Sequence, residues 1–281
     1  MVTKWIGFYG SRTNNTNKST NHLFVEISTT QVVYLVKNTV NGQLEAIEVF
    51  QFSNKQTDWS DIFFEIKAQS NLIGQSFSTT TIYFNIQEAL LLPLNNLSAS
   101  SAEDFLSLVY GPEENTTTKH DKIEFSIPFV TIYRIKNALI EILNRNFILF
   151  NIQHAYSPIL REVLERENLS PIFLKLVVYH QHIVVVYIKD NKLQLTQSYT
   201  FKNSEDILYY LLGIIQQDEH TAIQTQIEIS GLIDQQTGLY DQLKKSFGIV
   251  SFDEINLEDT IKIGLEKYPT YTFTPFYKLM A

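Results

Sequence analysis

The chain has 281 residues, with 22 Lys and Arg against 30 Asp and Glu, a formal charge of −8. That length implies two domains or one large one, with a core that needs no covalent staples. The acidity argues against nucleic acid as the main partner, and the absence of cysteine excludes disulfides, thiolate metal sites and thiol catalysis.

Residues 10–21 are rich in Ser, Thr and Asn and read as a solvated loop or frayed arm. The pattern then turns strongly β. Residues 23–27 (LFVEI) and 31–37 (QVVYLVK) are short apolar runs separated by Ser28-Thr29-Thr30, and Asn41-Gly42 signals a further hairpin turn. A third run, 44–52 (LEAIEVFQF), alternates with period two, and 59–73 reads helical with Trp59, Ile62, Phe63, Ile66 and Ile73 on one stripe. Expected next are a strand at 80–85, a helix at 101–109, a strand at 124–130, a helix at 133–144, a strand at 147–152 and a helix at 157–166. The polar stretch 111–122 between them reads as a loop, either a tolerated surface insertion or part of a partner surface.

The same order returns in the second half. Strands are expected at 172–179, 183–189 and 193–201, with a turn at Asp190-Asn191-Lys192. A helix over 207–217 follows, with Ser204 as its N-cap and Glu205 and Asp206 in its first turn. A strand at 226–229, a helix at 238–245 and a strand at 248–252 complete the pattern. Strand-strand-strand-helix occurring twice suggests a structural duplication, with two unrelated α+β modules as the alternative. The boundary falls near Leu169-Ser170-Pro171, giving domains 1–170 and 171–281. The C-terminal stretch 267–277 (KYPTYTFTPFY) carries five aromatics and two prolines, and is expected to lie extended. It either packs back on its own domain or serves as a docking strand for a partner.

Two such halves resemble the actin-like ATPase fold, an α/β (α+β) architecture of two ribonuclease-H-like subdomains with mixed sheets. Three stretches resemble more closely an uncharacterised bacterial family with a degenerate form of that fold: FVEISTTQVVYLVKN, ALLLPLNNLSASSAEDFLSLVYG and FILFNIQHAYSPILREVLE. Pilus-assembly and cell-division actin-like proteins are more distant relatives. The resemblance implies that phosphates would be clamped by one hairpin from each half, each normally carrying Asp-x-Gly. The first hairpin has Glu26-Ile27-Ser28-Thr29 instead: a longer acid, and Ser28 in place of Gly. The second has Tyr179-His180-Gln181-His182, with neither acid nor Gly. The adenosine segment, normally Gly-Gly after a strand, is Ile229-Ser230-Gly231-Leu232. Gln153-His154 stand where a water-orienting carboxylate is implied.

Efficient ATP hydrolysis is therefore not expected, and no catalytic residue is assigned. The leading expectation is a non-catalytic protein-interaction scaffold without cofactor or metal, its protein partner unidentified and a homodimer compatible with the sequence. The alternative is a nucleotide-binding ATPase or switch using ATP and magnesium. In it Glu26 would hold the hydrated metal, Ser28 and Thr29 the phosphates, Ser230 and Gly231 the adenosine, with His180 and Gln181 in the second hairpin. A ribonuclease-H-type nuclease is excluded, since only Glu26 stands near the place where two metals need clustered carboxylates. His180 and His182 form the sole close histidine pair, read as a surface or cleft pair rather than a metal site lacking further ligands. No segment of residues 1–21 resembles a signal peptide and no run of ~18 unbroken apolar residues occurs, so a cytoplasmic protein without membrane insertion is expected.

Overall fold

The computed structural model describes residues 1–10, 20–53, 58–97, 101–125, 128–216, 222–233, 238–255, 265 and 267–280. Contacts group them into two units: Met1–Pro158 with Asn256–Lys267 and Leu279–Ala281, and Ile159–Ile255 with Tyr268–Lys278. No helix among the described residues is long and apolar enough to cross a membrane.

The first unit is built on a six-stranded sheet in the order β1-β4-β3-β2-β5-β9. Its strands are β1 (Val2–Tyr9), β2 (Asn21–Ser28), β3 (Gln31–Asn38), β4 (Leu44–Phe52), β5 (Thr79–Asn85) and β9 (Asn151–His154). The run β2-β3-β4 is antiparallel, while β5 and β9 are parallel to β2. Strand β1 has no counterpart in the sequence reading. It pairs antiparallel with β4, and Lys4 Nζ bonds the fully buried Glu48 at 2.8 Å. Helix α1 (Trp59–Gln69) starts at Asp58, whose Oδ1 accepts from Ser60 N at 2.7 Å, and buries Ile62, Phe63 and Ile66. It stops four residues short of Ile73. The Ser70 hydroxyl there accepts from the Leu72 and Ile73 N–H groups and donates to Glu48 at 2.6 Å, so the chain turns out of the helix.

Between β5 and β9 the chain adds a three-stranded sheet, β6 (Ala89–Pro93), β8 (Phe129–Lys136) and β7 (Thr116–Ile123), in the order β6-β8-β7. Helix α2 (Ser101–Tyr110) packs on it through Ala102 and Leu106 against Val130 and Ile132. Three sequence expectations change here, the first being the strand expected at 124–130, which begins only at Phe129. Residues 111–122 are not simply a loop: the threonine-rich end of that stretch is strand β7, which pairs with β8 along its whole length. Residues 133–136 are strand rather than helix, and α3 (Asn137–Asn146) begins four residues later than expected. The β-branched and aromatic run FVTIYRIK favours the pleated surface over helical periodicity.

The second unit has one sheet, β12-β11-β10-β13-β14, from β10 (Ile172–Val178), β11 (His182–Lys189), β12 (Lys192–Thr200), β13 (Gln226–Gly231) and β14 (Ile249–Phe252). Again three antiparallel strands lead into two that are parallel to the first. Five strands of each unit thus share one order and one set of directions, which answers the question of duplication from topology alone. Asp190 and Asn191 take positive φ (49° and 58°) in the two-residue turn joining β11 to β12, the left-handed pair that matches strand twist. Helix α5 (Ser204–Gln216) is capped one residue earlier than expected. Asn203 Oδ1 accepts from Asp206 N at 3.0 Å, and Asp206 Oδ2 returns to Lys202 N at 2.8 Å. Together α5 and α6 (Gly238–Ser246) bury Leu174, Leu176, Val178, Ile227 and Ile229 on one sheet face.

The other face of that sheet carries charge. Lys175, 1% exposed in the middle of β10, bonds Glu228 directly across on β13 and Asp253 just past β14. Arg166, following α4 (Tyr156–Leu164), bonds Glu228 at 2.7 Å and also Glu162, while Lys278 contacts Glu162 at 3.0 Å and bonds Asp253. Lys278 ends α7 (Thr274–Lys278), so the C-terminal stretch is not extended. It forms a 3₁₀ turn at Thr270–Thr272 and then α7, with Pro275 in the first turn, where a missing N–H costs nothing. Tyr271, Phe273 and Phe276 are buried, Tyr271 stacking on Phe252 at 4.0 Å. Removing one ion from such a network leaves the others uncompensated. Lys175→Met, close in volume, is expected to lower unfolding free energy by about 3–5 kcal/mol in urea denaturation, whereas Arg145→Met in the exposed Arg145–Glu141 pair should change it by less than about 0.5 kcal/mol.

Candidate functional site

The first hairpin joins β2 to β3 through Thr29 and Thr30. Glu26 lies on the sheet face shared with Ser28 and, by cross-strand register, with Val33, Tyr83 and Asn85. It is 1% exposed, and its Oε1 accepts from Asn85 Nδ2 at 2.6 Å. Burial pushes its carboxyl up to about 8, only partly offset by the Asn85 bond, so at neutral pH it is largely uncharged. The Ser28 hydroxyl is engaged within the hairpin, donating to Gln31 O at 3.3 Å and accepting from Thr30 N at 3.4 Å. Thr29 is exposed at the turn. Glu26 Oε2, Asn85 Oδ1, Thr30 Oγ1 and both amide atoms of Gln31 are buried without a hydrogen-bond partner among the described residues.

The second hairpin joins β10 to β11 through residues 179–181. Tyr179 N donates to His182 O at 2.9 Å, and the Tyr179 ring lies flat on the His182 imidazole, centroids 4.7 Å apart and planes 4° apart. Phe276 of α7 meets the Tyr179 ring at 6.1 Å. His182 is buried and His180 half-buried. Burial lowers both, His182 to about 3, so at neutral pH the pair carries no charge. His180 sits in the turn and His182 opens β11, so the strand alternation that would align them does not apply.

Ser230 and Gly231 end β13, opposite Val177 and Val178 of β10, and so lie beside the second hairpin. Gly231 has φ +96°, and a Cβ there would stand 2.1 Å from the Val178 carbonyl oxygen. Leu232 N then donates to that same oxygen at 2.7 Å. The glycine is needed for strand-to-strand approach, independently of any ligand. Ser230 Oγ and His182 Nε2 are buried without a hydrogen-bond partner among the described residues. Within each unit, then, the residues marked by sequence converge: Glu26, Ser28 and Thr29 in the first, His180, Gln181, Ser230 and Gly231 in the second.

His154 ends β9 and is fully buried. Its Nε2 lies 3.0 Å from Ile86 O, its Nδ1 accepts from Tyr156 N at 3.1 Å, and burial takes it down to about 3. Asp121 of β7 accepts from His154 N at 2.5 Å, from Ser157 Oγ at 2.8 Å and from Tyr133 OH at 3.1 Å. These bonds tie β7 and β8 to the start of α4, while both ring nitrogens of His154 are engaged by Ile86 O and Tyr156 N.

The charge network was missed by sequence reasoning. Glu162, Glu228 and Asp253 bring carboxylate oxygens within 4.8 Å of one another, which is metal-ligand spacing. Lys175, Arg166 and Lys278 already stand among them, three cations to three carboxylates. Burial alone would raise Glu228, but the hydrogen bonds from Arg166 and Lys175 overcome it and take the carboxyl down to about 2. The acids are thus held as anions by side chains, and no further cation is called for. The signal available in sequence was a lysine inside the apolar run IFLKLVV and a glutamate inside QIEISG at matching strand positions.

The family model described as "Protein of unknown function (DUF3822)" matches residues 11–249. The chain belongs to that family. No curated protein matches its sequence significantly. Among solved structures, a Bacteroides thetaiotaomicron protein described as having an actin-like ATPase fold and unknown function aligns with TM-score 0.75 at 17% identity, over 84% of this chain and 91% of that one. A chain of the PilM–PilN type IV pilus biogenesis complex aligns with TM-score 0.60 at 11% identity, over 92% and 97%. At these identities the likeness defines the fold, and the fold is that of the actin-like ATPases.

Glu26 gives the fold a pH signature. Its folded value of about 8 lies above the unfolded carboxyl value of 4.5, so the folded state holds the proton more tightly. The stability it contributes is full below the unfolded value and is lost as pH rises towards 8, with a slope of at most about 1.4 kcal/mol per unit. Glu26→Gln is expected to flatten the fall in unfolding free energy between pH 5 and 8, measured by urea denaturation across that range.

Proposed function

We propose that the protein is a non-catalytic protein-interaction module on an actin-like ATPase fold, its two phosphate hairpins converted to structural use. The observation that carries this reading is Glu26. A carboxyl that is sealed in the sheet, bonded to Asn85 and uncharged at neutral pH makes a poor anchor for hydrated magnesium. Three further features support it. The Ser28 hydroxyl is spent on its own hairpin. The second hairpin stacks Tyr179 on His182 where glycine backbone would meet a phosphate. Gly231 serves the packing of β13 on β10. A neighbour of the same fold occurs in the PilM–PilN complex, which is in keeping with partner binding as a use of this architecture.

A second reading keeps ATP and magnesium as ligands, with Glu26, Ser28 and Thr29 as the candidate contacts within the first unit and His180, Gln181, Ser230 and Gly231 as those within the second. It is favoured by the unpartnered polar atoms of Gln31, Asn85, His182 and Ser230, which a polar ligand would satisfy. Thermal melting separates the two. With magnesium and ATP in excess the melting temperature is expected to stay where it is without them. A ligand at 100 times its dissociation constant would add about 2.7 kcal/mol, and a shift of that order would establish the second reading instead.

A further inference from the structure

Beside the first hairpin, and lined entirely by residues of the first unit, lies a cavity of about 300 Å³, at the small end of the range for ligand pockets. One wall is apolar and aromatic: Trp59 at the start of α1, Phe84 of β5, Ile135 of β8 and Leu139 of α3. The other is an ion cluster. Arg134, its side chain 3% exposed, donates from Nε to Glu88 Oε2 at 2.5 Å and from Nη1 to the Gly111 carbonyl at 2.8 Å. Glu113 Oε2 lies 3.6 Å from the same Nε, and its Oε1 lies 3.4 Å from Lys136, whose side chain is 66% exposed.

The weakly held Glu113 selects the guest. Hydrogen bonding to Glu88 and the fields of Glu88, Glu113 and Glu103 hold the Arg134 guanidinium above its ordinary value, so three carboxylates bear on this cation. Among the described residues Lys136 is the one other cation lining the cavity. Neither carboxylate oxygen of Glu113 accepts a hydrogen bond among the described residues; both of its contacts are longer ion pairs. The described lining holds two carboxylates, Glu88 and Glu113, to two cations, so what an entering group meets is decided by Glu113: an anion is repelled by it, and a neutral apolar guest leaves it without a hydrogen bond. A cation on an apolar frame meets both walls. Its charge replaces the loosely held Lys136 at Glu113, an exposed pair of little worth, and its body covers Trp59, whose ring face also attracts cations. The chain's overall charge of −8 draws the same class of partner.

We propose that this cavity binds a basic side chain flanked by an apolar one, presented by a protein partner, with Glu113 as the charge acceptor and Trp59 with Phe84 as the apolar wall. The inference rests on the interaction-module reading and names the chemistry of its partner. Saturation-transfer NMR on the full chain tests it with three one-ring probes of similar size, phenethylamine, phenethyl alcohol and phenylacetate, and with the peptide acetyl-Leu-Arg-amide as competitor. Phenethylamine is expected to bind at least fivefold tighter than the alcohol, phenylacetate to show no transfer, and the peptide to displace the amine. Glu113→Gln should remove the preference for the amine, and Lys136→Ala should tighten amine binding two- to threefold. Both positions are on the open side of the cluster, and an unchanged melting temperature checks that the variants fold. Equal binding of the three probes, tighter binding of phenylacetate, or an amine signal indifferent to Glu113→Gln would overturn the proposal. An amine that the peptide fails to displace would overturn its partner-borne form. An ATP-dependent melting shift would instead remove the interaction-module reading, whatever the amine does.

Discussion

A charge placed inside a β-sheet must be neutralised, paired or given up, and that constraint shapes both halves of this protein. Glu26 and Lys175 occupy corresponding strands, each the first of its antiparallel run, and each is 1% exposed. In the first unit the carboxyl keeps its proton and accepts one amide bond from Asn85. In the second, Lys175 is matched by Glu228 and Asp253, with Arg166 and Lys278 completing the balance. Burial and the neighbouring Lys278 lower Lys175, against the opposing pull of Glu228, Asp253 and Glu162. In the proposed function, an uncharged acid gives a divalent metal no electrostatic reason to settle at the first hairpin. A set of three cations removes that reason at the second unit's carboxylates.

The topology makes the comparison between the units meaningful. Both sheets run three antiparallel strands into two parallel ones, so their hairpins and the strand ends beside them are equivalent places in the fold. What differs is what has been added. The first unit gains β1 at its edge and the β6-β8-β7 sheet with α2. The second receives the C-terminal turn and α7, which bring Phe276 against Tyr179 and Lys278 against Asp253. Aromatic and charged contacts thereby occupy the neighbourhood of the second hairpin from within the chain itself.

Much of the architecture was legible in the sequence because its signals are local. Apolar β-branched runs, the Asp190-Asn191 turn and the amphipathic stripes of α1 and α5 each state their structure within a dozen residues. The misreadings occur where local signals mislead. The polar stretch TTTKHDKI is a strand because β8 offers it a full ladder, and only the pairing decides that. The two prolines near the C-terminus suggested an extended arm, yet Pro275 falls in the first turn of α7, the one helical place that tolerates it. Of the candidate site, Glu26, Ser28 and Thr29 were marked by their hairpin, and Ser230 and Gly231 by following a strand. Their environment was not legible: burial of Glu26 depends on residues from β3 and β5, and the clash that fixes Gly231 comes from Val178, far along the chain. The ion network was hidden for the same reason, since its six members come from five separate stretches of the chain.

The central claim is that the acid of the first hairpin is protonated and closed to metal. Carboxyl carbon NMR of selectively labelled glutamate, with Glu26→Asn identifying the resonance, measures this directly as a function of pH. The account predicts a Glu26 midpoint near 8, unmoved by magnesium and ATP. A midpoint in the ordinary carboxylate range, or one drawn down when magnesium and ATP are added, would contradict it.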